Sequence, residues 1–151
     1  MKINKETGEI EINDNIIIGK NTSKNDILKI EKLEYFGKTN EFETYSTQGI
    51  YFNQLKMKLI LRFKNEKLLI LEFIWLDGEV NKLGYESSNS ELKKEKTYLS
   101  KIISRFLFQE AEKTTPYEDF FSFSWGDIII KSDQKSSYCV TMIVYGKDEL
   151  I

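Results

Sequence analysis

From residue 54 to 76 apolar and polar positions alternate. Leu55, Met57, Leu59, Leu61 and Phe63 are separated by Gln54, Lys56, Lys58, Ile60 and Arg62. A period of two predicts a strand with one buried face. The next run sets Leu69, Leu71, Phe73 and Trp75 on one side and Leu68, Ile70, Glu72, Ile74 and Leu76 on the other. Two registers compete for this hairpin. A two-residue turn at Asn65-Glu66 would put Leu61 opposite Ile70 and Arg62 opposite Leu69. A three-residue loop over 65–67 pairs Leu61 with Leu71, Leu59 with Phe73 and Met57 with Trp75. The second gathers the large apolar chains on one face and sets Glu72 diagonal to Lys58 and Arg62, so it is the expected one.

Other stretches are punctuated by turns and caps. "MKINKETGEIEIN" predicts a hairpin turning through Lys5-Glu6-Thr7-Gly8, and "NIIIGK" (15–20) a further short edge element. "NTSKNDILKIEKLEYF" predicts a helix capped by Thr22 or Ser23, with Asp26 in its first turn. Ile27, Leu28, Ile30 and Leu33 would face inward and Gly37 would stop it. Residues 88–113 predict the longest helix. Ser88 and Glu91 form a capping box, and Leu92, Leu99, Ile102, Ile103 and Phe106 recur at helical spacing. Pro116 ends it. In "FFSFSWGDIIIKSD" (120–133), Phe121, Phe123 and Trp125 share one phase while Ile128 and Ile130 take the other. A slip of one residue at Gly126-Asp127 predicts a β-bulge. Residues 131–137 would turn, and "YCVTMIVY" (138–145) would return through the middle of the sheet.

Strands in antiparallel runs, rather than in βαβ units, predict one α+β domain over 1–151. Its mostly antiparallel β-sheet (a meander plus N- and C-terminal hairpins) would carry two helices packed on one face.

Composition removes many chemistries. With 22 basic and 24 acidic residues the net charge is −2, which does not suggest a nucleic-acid binder. The chain has no His and one Cys, so imidazole catalysis, zinc sites built on His and thiolate clusters are all excluded. Its glycines form no phosphate-binding loop. No cofactor or metal is expected. A charged N-terminus, no long apolar run and a single Cys139 fit a cytoplasmic location.

Ser122, Ser124 and Asp127 resemble a nucleophile and base, but no His or Lys adjoins them in sequence to activate a hydroxyl. They read instead as solvent-side polar residues, with Asp127 in the bulge. Lys56, Lys58, Arg62 and Lys64 form a stripe that could touch phosphates; Glu72 and the overall charge favour an outer sheet face, so no nucleic acid is expected. Two clusters combine acids with aromatics, which a basic protein partner would select. One is Asp77, Glu79, Tyr85 and Glu86. The other is Glu110, Glu112, Tyr117, Glu118 and Asp119, with Phe120 and Phe121 nearby. Cys139 reads as a small core residue. An exposed hairpin edge could pair strands in a homodimer.

The two ends carry a resemblance. "KINKETGEIEINDNIIIGKNTSKNDIL" (2–28) and "FSFSWGDIIIKSDQKSSYCVTMIVYG" (121–146) share "K-I-x-x-x-T-G-x-I", "T-S-x-x-D-x-L", "S-W-G-x-I" and "I-x-Y" patterns with a group of small bacterial proteins. The chain thus resembles immunity proteins of polymorphic toxin systems, including contact-dependent growth inhibition. The likeness implies a non-enzymatic, cytoplasmic inhibitor that binds the C-terminal toxin domain of a cognate effector. Many such toxins are nucleases with basic clefts. The resemblance carries over no catalytic residue.

Overall fold

The long hairpin at the centre resolves the competition between registers by using both. In a computed structural model that describes residues 2–13, 15–52 and 54–146, strands β7 (Leu55–Lys64) and β8 (Lys67–Trp75) are antiparallel. Leu61 faces Leu71, Leu59 faces Phe73 and Met57 faces Trp75, as the apolar pattern requires. Yet the turn itself is the two-residue Asn65-Glu66, with φ of 52° and 67°. A register shift between Arg62 and Phe63 absorbs the difference, so Leu69 is the additional residue. A tight mirror-type turn matches strand twist, and the bulge then restores the face that burial selects.

Upstream, β4 (Glu34–Thr39) and β5 (Phe42–Ser46) form a second hairpin through Asn40-Glu41, also at positive φ. Here the sequence expectation needs correction. The helix over 22–36 starts at Ser23, where Ser23 and Asp26 make a capping box, but α1 (Lys24–Ile27) lasts one turn. Hydrogen bonds from Ser23 hold the Asp26 carboxyl below its usual range. Lys32 takes a φ of 57°, and the chain leaves as β4. Tyr35 instead meets Tyr45 across the hairpin, with ring centroids 5.1 Å apart. Cross-strand aromatic pairing outweighs a weak local helical preference.

The large sheet runs β4-β5-β7-β8, then β12 (Tyr138–Val144), β11 (Gly126–Asp133), β10 (Glu118–Phe123) and β9 (Lys113–Thr114), every pairing antiparallel, and β6 (Ile50–Phe52) also pairs with β7. A separate three-stranded sheet is made by β1 (Lys2–Ile3), β2 (Ile10–Asn13) and β3 (Ile16–Ile18). Between β8 and β9 come α2 (Glu79–Leu83), a 3-10 turn at Gly84–Glu86, and α3 (Asn89–Leu107). Ser88 and Glu91 cap α3 as expected. The helix ends at Phe108, which adopts the left-handed conformation (φ 54°), and not near Pro116. Helices α2 and α3 lie together on one face of the sheet, over β11 and β12. That is the α+β layering the strand order predicts. Leu99 and Ile103 of α3 sit against Met57, Phe73 and Ile143. Ile10, Ile12 and Ile18 of the small sheet join the same core. Among the described residues no helix is long and apolar enough to cross a membrane.

The C-terminal stretch corrects a second expectation. The slip at Gly126 is a hairpin, not a bulge. Strand β10 (Glu118–Phe123) turns through Ser124-Trp125 into β11 (Gly126–Asp133), with Phe121 opposite Ile128 and Phe123 opposite Gly126. Strand β12 (Tyr138–Val144) then returns between β11 and β8. A side chain at Gly126 would collide with the Val144 carbonyl. The turn frees Trp125 to cross to the other sheet. Its ring stacks on Phe123 at 5.0 Å, and its Nε1 donates to the Lys5 carbonyl at 2.8 Å. The Tyr145 hydroxyl donates to the Gly8 carbonyl at 2.7 Å. Gly8, at φ +78°, lies flat under the indole.

This clamp predicts a graded loss of stability. Trp125→Phe should cost about 1 kcal/mol for the Nε1 bond. Trp125→Ala should cost roughly 3–5 kcal/mol as the ring's packing is also lost. Urea unfolding checks both. Equal losses would mean that the ring's packing contributes nothing.

Candidate functional site

The two acidic clusters read from sequence lie at opposite ends of α3. The first precedes it. Asp77, Glu79, Tyr85 and Glu86 are all exposed, Tyr85 most of all at 86%. This segment is α2 and the 3-10 turn, where a loop was expected. Val80 anchors it in the core, and the Asn81 side-chain amide and Ser87 hydroxyl donate to the Leu76 and Val80 carbonyls. The short helix therefore holds a ring and three carboxylates outward on a fixed base.

The second cluster divides. Glu110 and Glu112 are exposed just past the end of α3. Phe108, which sequence reading did not single out, joins them at 90% exposure. Its left-handed cap turns it out of the helix stripe, and local sequence carries no sign of that. Tyr117 and Glu118 are half-buried. The Tyr117 hydroxyl accepts from Gln134 at 2.7 Å, and Lys93 lies over its ring at 5.5 Å. Asp119 is not a surface group at all: it is buried beside the Lys96 ammonium, 2.7 Å away. Lys96 directs a hydrogen bond to the Thr115 carbonyl at 3.0 Å. This pair ties α3 to β10. Ser122 and Ser124 are exposed and Asp127 is buried, with Ser122 paired across the strands to Asp127.

One turn of α3 buries two charges, Glu95 and Lys96. Both fall in the stripe of Leu92, Leu99 and Ile103, so the helical period did mark them. Glu95 accepts from the Val80 backbone N–H and from the Cys139 thiol. Among the described residues its Oε1 and the nearby Trp75 Nε1 have no hydrogen-bond partner. Gly78 belongs here for space: a Cβ would strike Glu95 Oε1 and the Trp75 ring. Burial pushes the Glu95 carboxyl up to about 7, only partly opposed by its hydrogen bonds. Burial, and then the neighbouring Glu95, push the Cys139 thiol up as well, so it is a poor nucleophile. Among the described residues no group of three His, Cys, Asp or Glu is arranged to hold a metal.

The stripe on β7 lies on the sheet face away from α2 and α3. Arg62 Nε donates to Glu72 at 3.1 Å, Lys64 pairs with Glu41 at 3.6 Å, and Lys58 lies over the Phe36 ring at 5.8 Å. Phe36, Phe42 and β7 enclose a groove of about 510 Å³ here.

Glu95 makes the fold pH-dependent. Between its unfolded value near 4.5 and about 7, the folded state holds a proton that the unfolded state has released. Stability contributed by this group therefore falls as pH rises through that window and levels off above it. The full effect is at most about 3 kcal/mol. Glu95→Gln should raise the melting temperature at pH 8, with the gain vanishing near pH 4.5. A gain of equal size at both values would show that Glu95 does not titrate in this window.

No family model matches the chain, and no curated protein matches it. In fold it is similar to a chain of the solved complex described as "Rhs1-CT in complex with cognate immunity protein RhsI1". The TM-score is 0.58, the identity is 17%, and the match covers 99% of this chain and 93% of that one. At that identity the likeness is one of fold, and it extends from end to end.

Proposed function

We propose that this chain is an immunity protein of a polymorphic toxin system, binding a toxin C-terminal domain and blocking it without chemistry of its own. The observation that carries this reading is the shared fold along the whole chain with a component of a toxin–immunity complex. The terminal motifs support the same reading independently. Of the two roles in such a complex, inhibitor fits the residues better. The chain lacks His, its only Cys is buried with a raised thiol, and the buried carboxyls of Glu95 and Asp119 are held by Val80 and Cys139 and by Lys96 respectively.

The contact surface we favour is the projection formed by Asp77, Glu79, Tyr85 and Glu86. An exposed aromatic among carboxylates on a rigid base is suited to a basic cleft, as in a nuclease that binds phosphates. Phe108 with Glu110 and Glu112 is the second such projection. Tyr117, Glu118 and Asp119 would support it from beneath rather than touch the partner. Action in the cytoplasm belongs to the same reading. A specific complex would bury about 1,200–2,000 Å² in total.

Co-expression tests the role. Cells making the toxin domain encoded beside this chain should survive with it and die without it. Equal killing in both cases ends the immunity reading. Within a protecting pair, Tyr85→Ala with Glu79→Lys should weaken binding by about 100-fold or more, in the range of hot-spot losses. Calorimetric titration measures it, and unchanged affinity would move the interface away from α2.

A further inference from the structure

The groove on the sheet face opposite α2 and α3 has the reverse chemistry of the acidic projections. Its floor is Lys58, Ile60 and Arg62; Phe36 and Phe42 of the β4–β5 hairpin rise beside it, with Thr39, Asn40, Thr44 and Ser46 between them. Its shape comes from β4. Gly37 has a φ of +103°, and the register with β5 shifts between Tyr35 and Gly37. A side chain at Gly37 would meet nothing within 4 Å, so the glycine serves the backbone bend rather than a close contact.

The groove holds two cations and no carboxylate, in a chain of net charge −2. The nearby acids are engaged. Glu41 pairs with Lys64, and Glu72 accepts from Nε of Arg62. The other guanidinium nitrogens of Arg62 have no carboxylate partner among the described residues. Lys58 rests on an aromatic ring instead of an acid. Phe36 is 59% exposed, an apolar side chain that the fold leaves in water. Charge and apolar surface here both await a complement.

We infer that this groove docks an acidic protein segment, whose carboxylates pair with Lys58 and Arg62 and whose apolar side chain lies between Phe36 and Phe42. A guanidinium with free terminal nitrogens takes a carboxylate in a two-point contact, which a partly shielded groove strengthens. The volume suits one or two side chains rather than a whole domain. Nucleic acid fits less well. Single-strand binders need a continuous basic track with open ring faces, whereas the groove itself is lined by two cations of the stripe, Lys64 beside it pairs with Glu41, and Lys58 already covers Phe36. The inference goes beyond the immunity role, since it concerns the opposite face and holds whatever binds the acidic projections.

The probe is a 12-residue peptide of repeated Glu-Glu-Phe, titrated into the full chain and followed by amide NMR shifts. We expect saturable binding with shifts centred on β4, β5 and β7. Affinity should fall about tenfold when salt is raised from 50 to 300 mM. Lys58→Glu and Phe36→Ala should each weaken binding about tenfold or more. Lys58→Gln serves if the charge reversal unfolds the chain, which circular dichroism detects. A Lys-Lys-Phe peptide should not bind. Absence of saturable binding, equal affinity in the variants, or tighter binding of a 12-mer of thymidine at the same residues would each overturn the inference.

Discussion

The large sheet exists because β12 pairs with β8. These strands are about seventy positions apart, and two helices lie between them, yet Thr141 meets Phe73, Ile143 meets Leu71 and Val144 meets Ile70. The Tyr145 N–H extends the ladder to the Leu69 carbonyl at 2.7 Å. On one side of this seam the chain is a meander of local hairpins from β4 to β8. On the other it is a second meander from β9 to β12. Each hairpin is entropically inexpensive to close; the seam is not, because a long loop must be ordered before any pair forms. Once formed, it makes a single apolar surface from Met57 to Phe121 wide enough for α3 and the small sheet to cover.

Covering that surface explains the charges beneath it. A 19-residue helix laid across antiparallel strands brings Glu95 over Cys139 and Lys96 over Asp119. Lys96 and Asp119 neutralise one another, and removing either alone would leave a buried charge, a change of the kind that costs roughly 3–5 kcal/mol. Glu95 is buried with no such cation among the described residues, and burial makes it keep its proton to higher pH. The same placement gives α2 its position, because the Val80 N–H is one of the donors to Glu95. The outward projection of Tyr85 thus rests on a buried carboxyl.

The two faces of the molecule consequently carry different chemistry. The helix face ends in acids and aromatics at both ends of α3. The bare face holds a basic, aromatic groove walled by β4. Separated patches of opposite sign let a surface hold one partner firmly while unlike partners are repelled.

Much of this was readable in the residues. Alternation from Leu55 to Trp75 determined a hairpin and its pairing from Met57 to Leu61, though not its two-residue turn and bulge, because a slip of one residue would turn Leu59 and Leu61 out to water. Ser88 and Glu91 determined where α3 starts, since capping is a contact between near neighbours. Asp77, Glu79, Tyr85 and Glu86 were recognisable as surface groups from their polar, glycine-punctuated stretch. Tertiary structure decided what lay outside any local window. It ended α1 after one turn, because Tyr35 found Tyr45 across a strand. It made Ser124-Trp125 a turn, because Trp125 reaches a carbonyl 120 residues away. It withdrew Asp119 from the surface to Lys96, and it raised Phe36 above Lys58 to wall a groove. Local periodicity records which side of an element is buried; only the packed chain determines what each side meets.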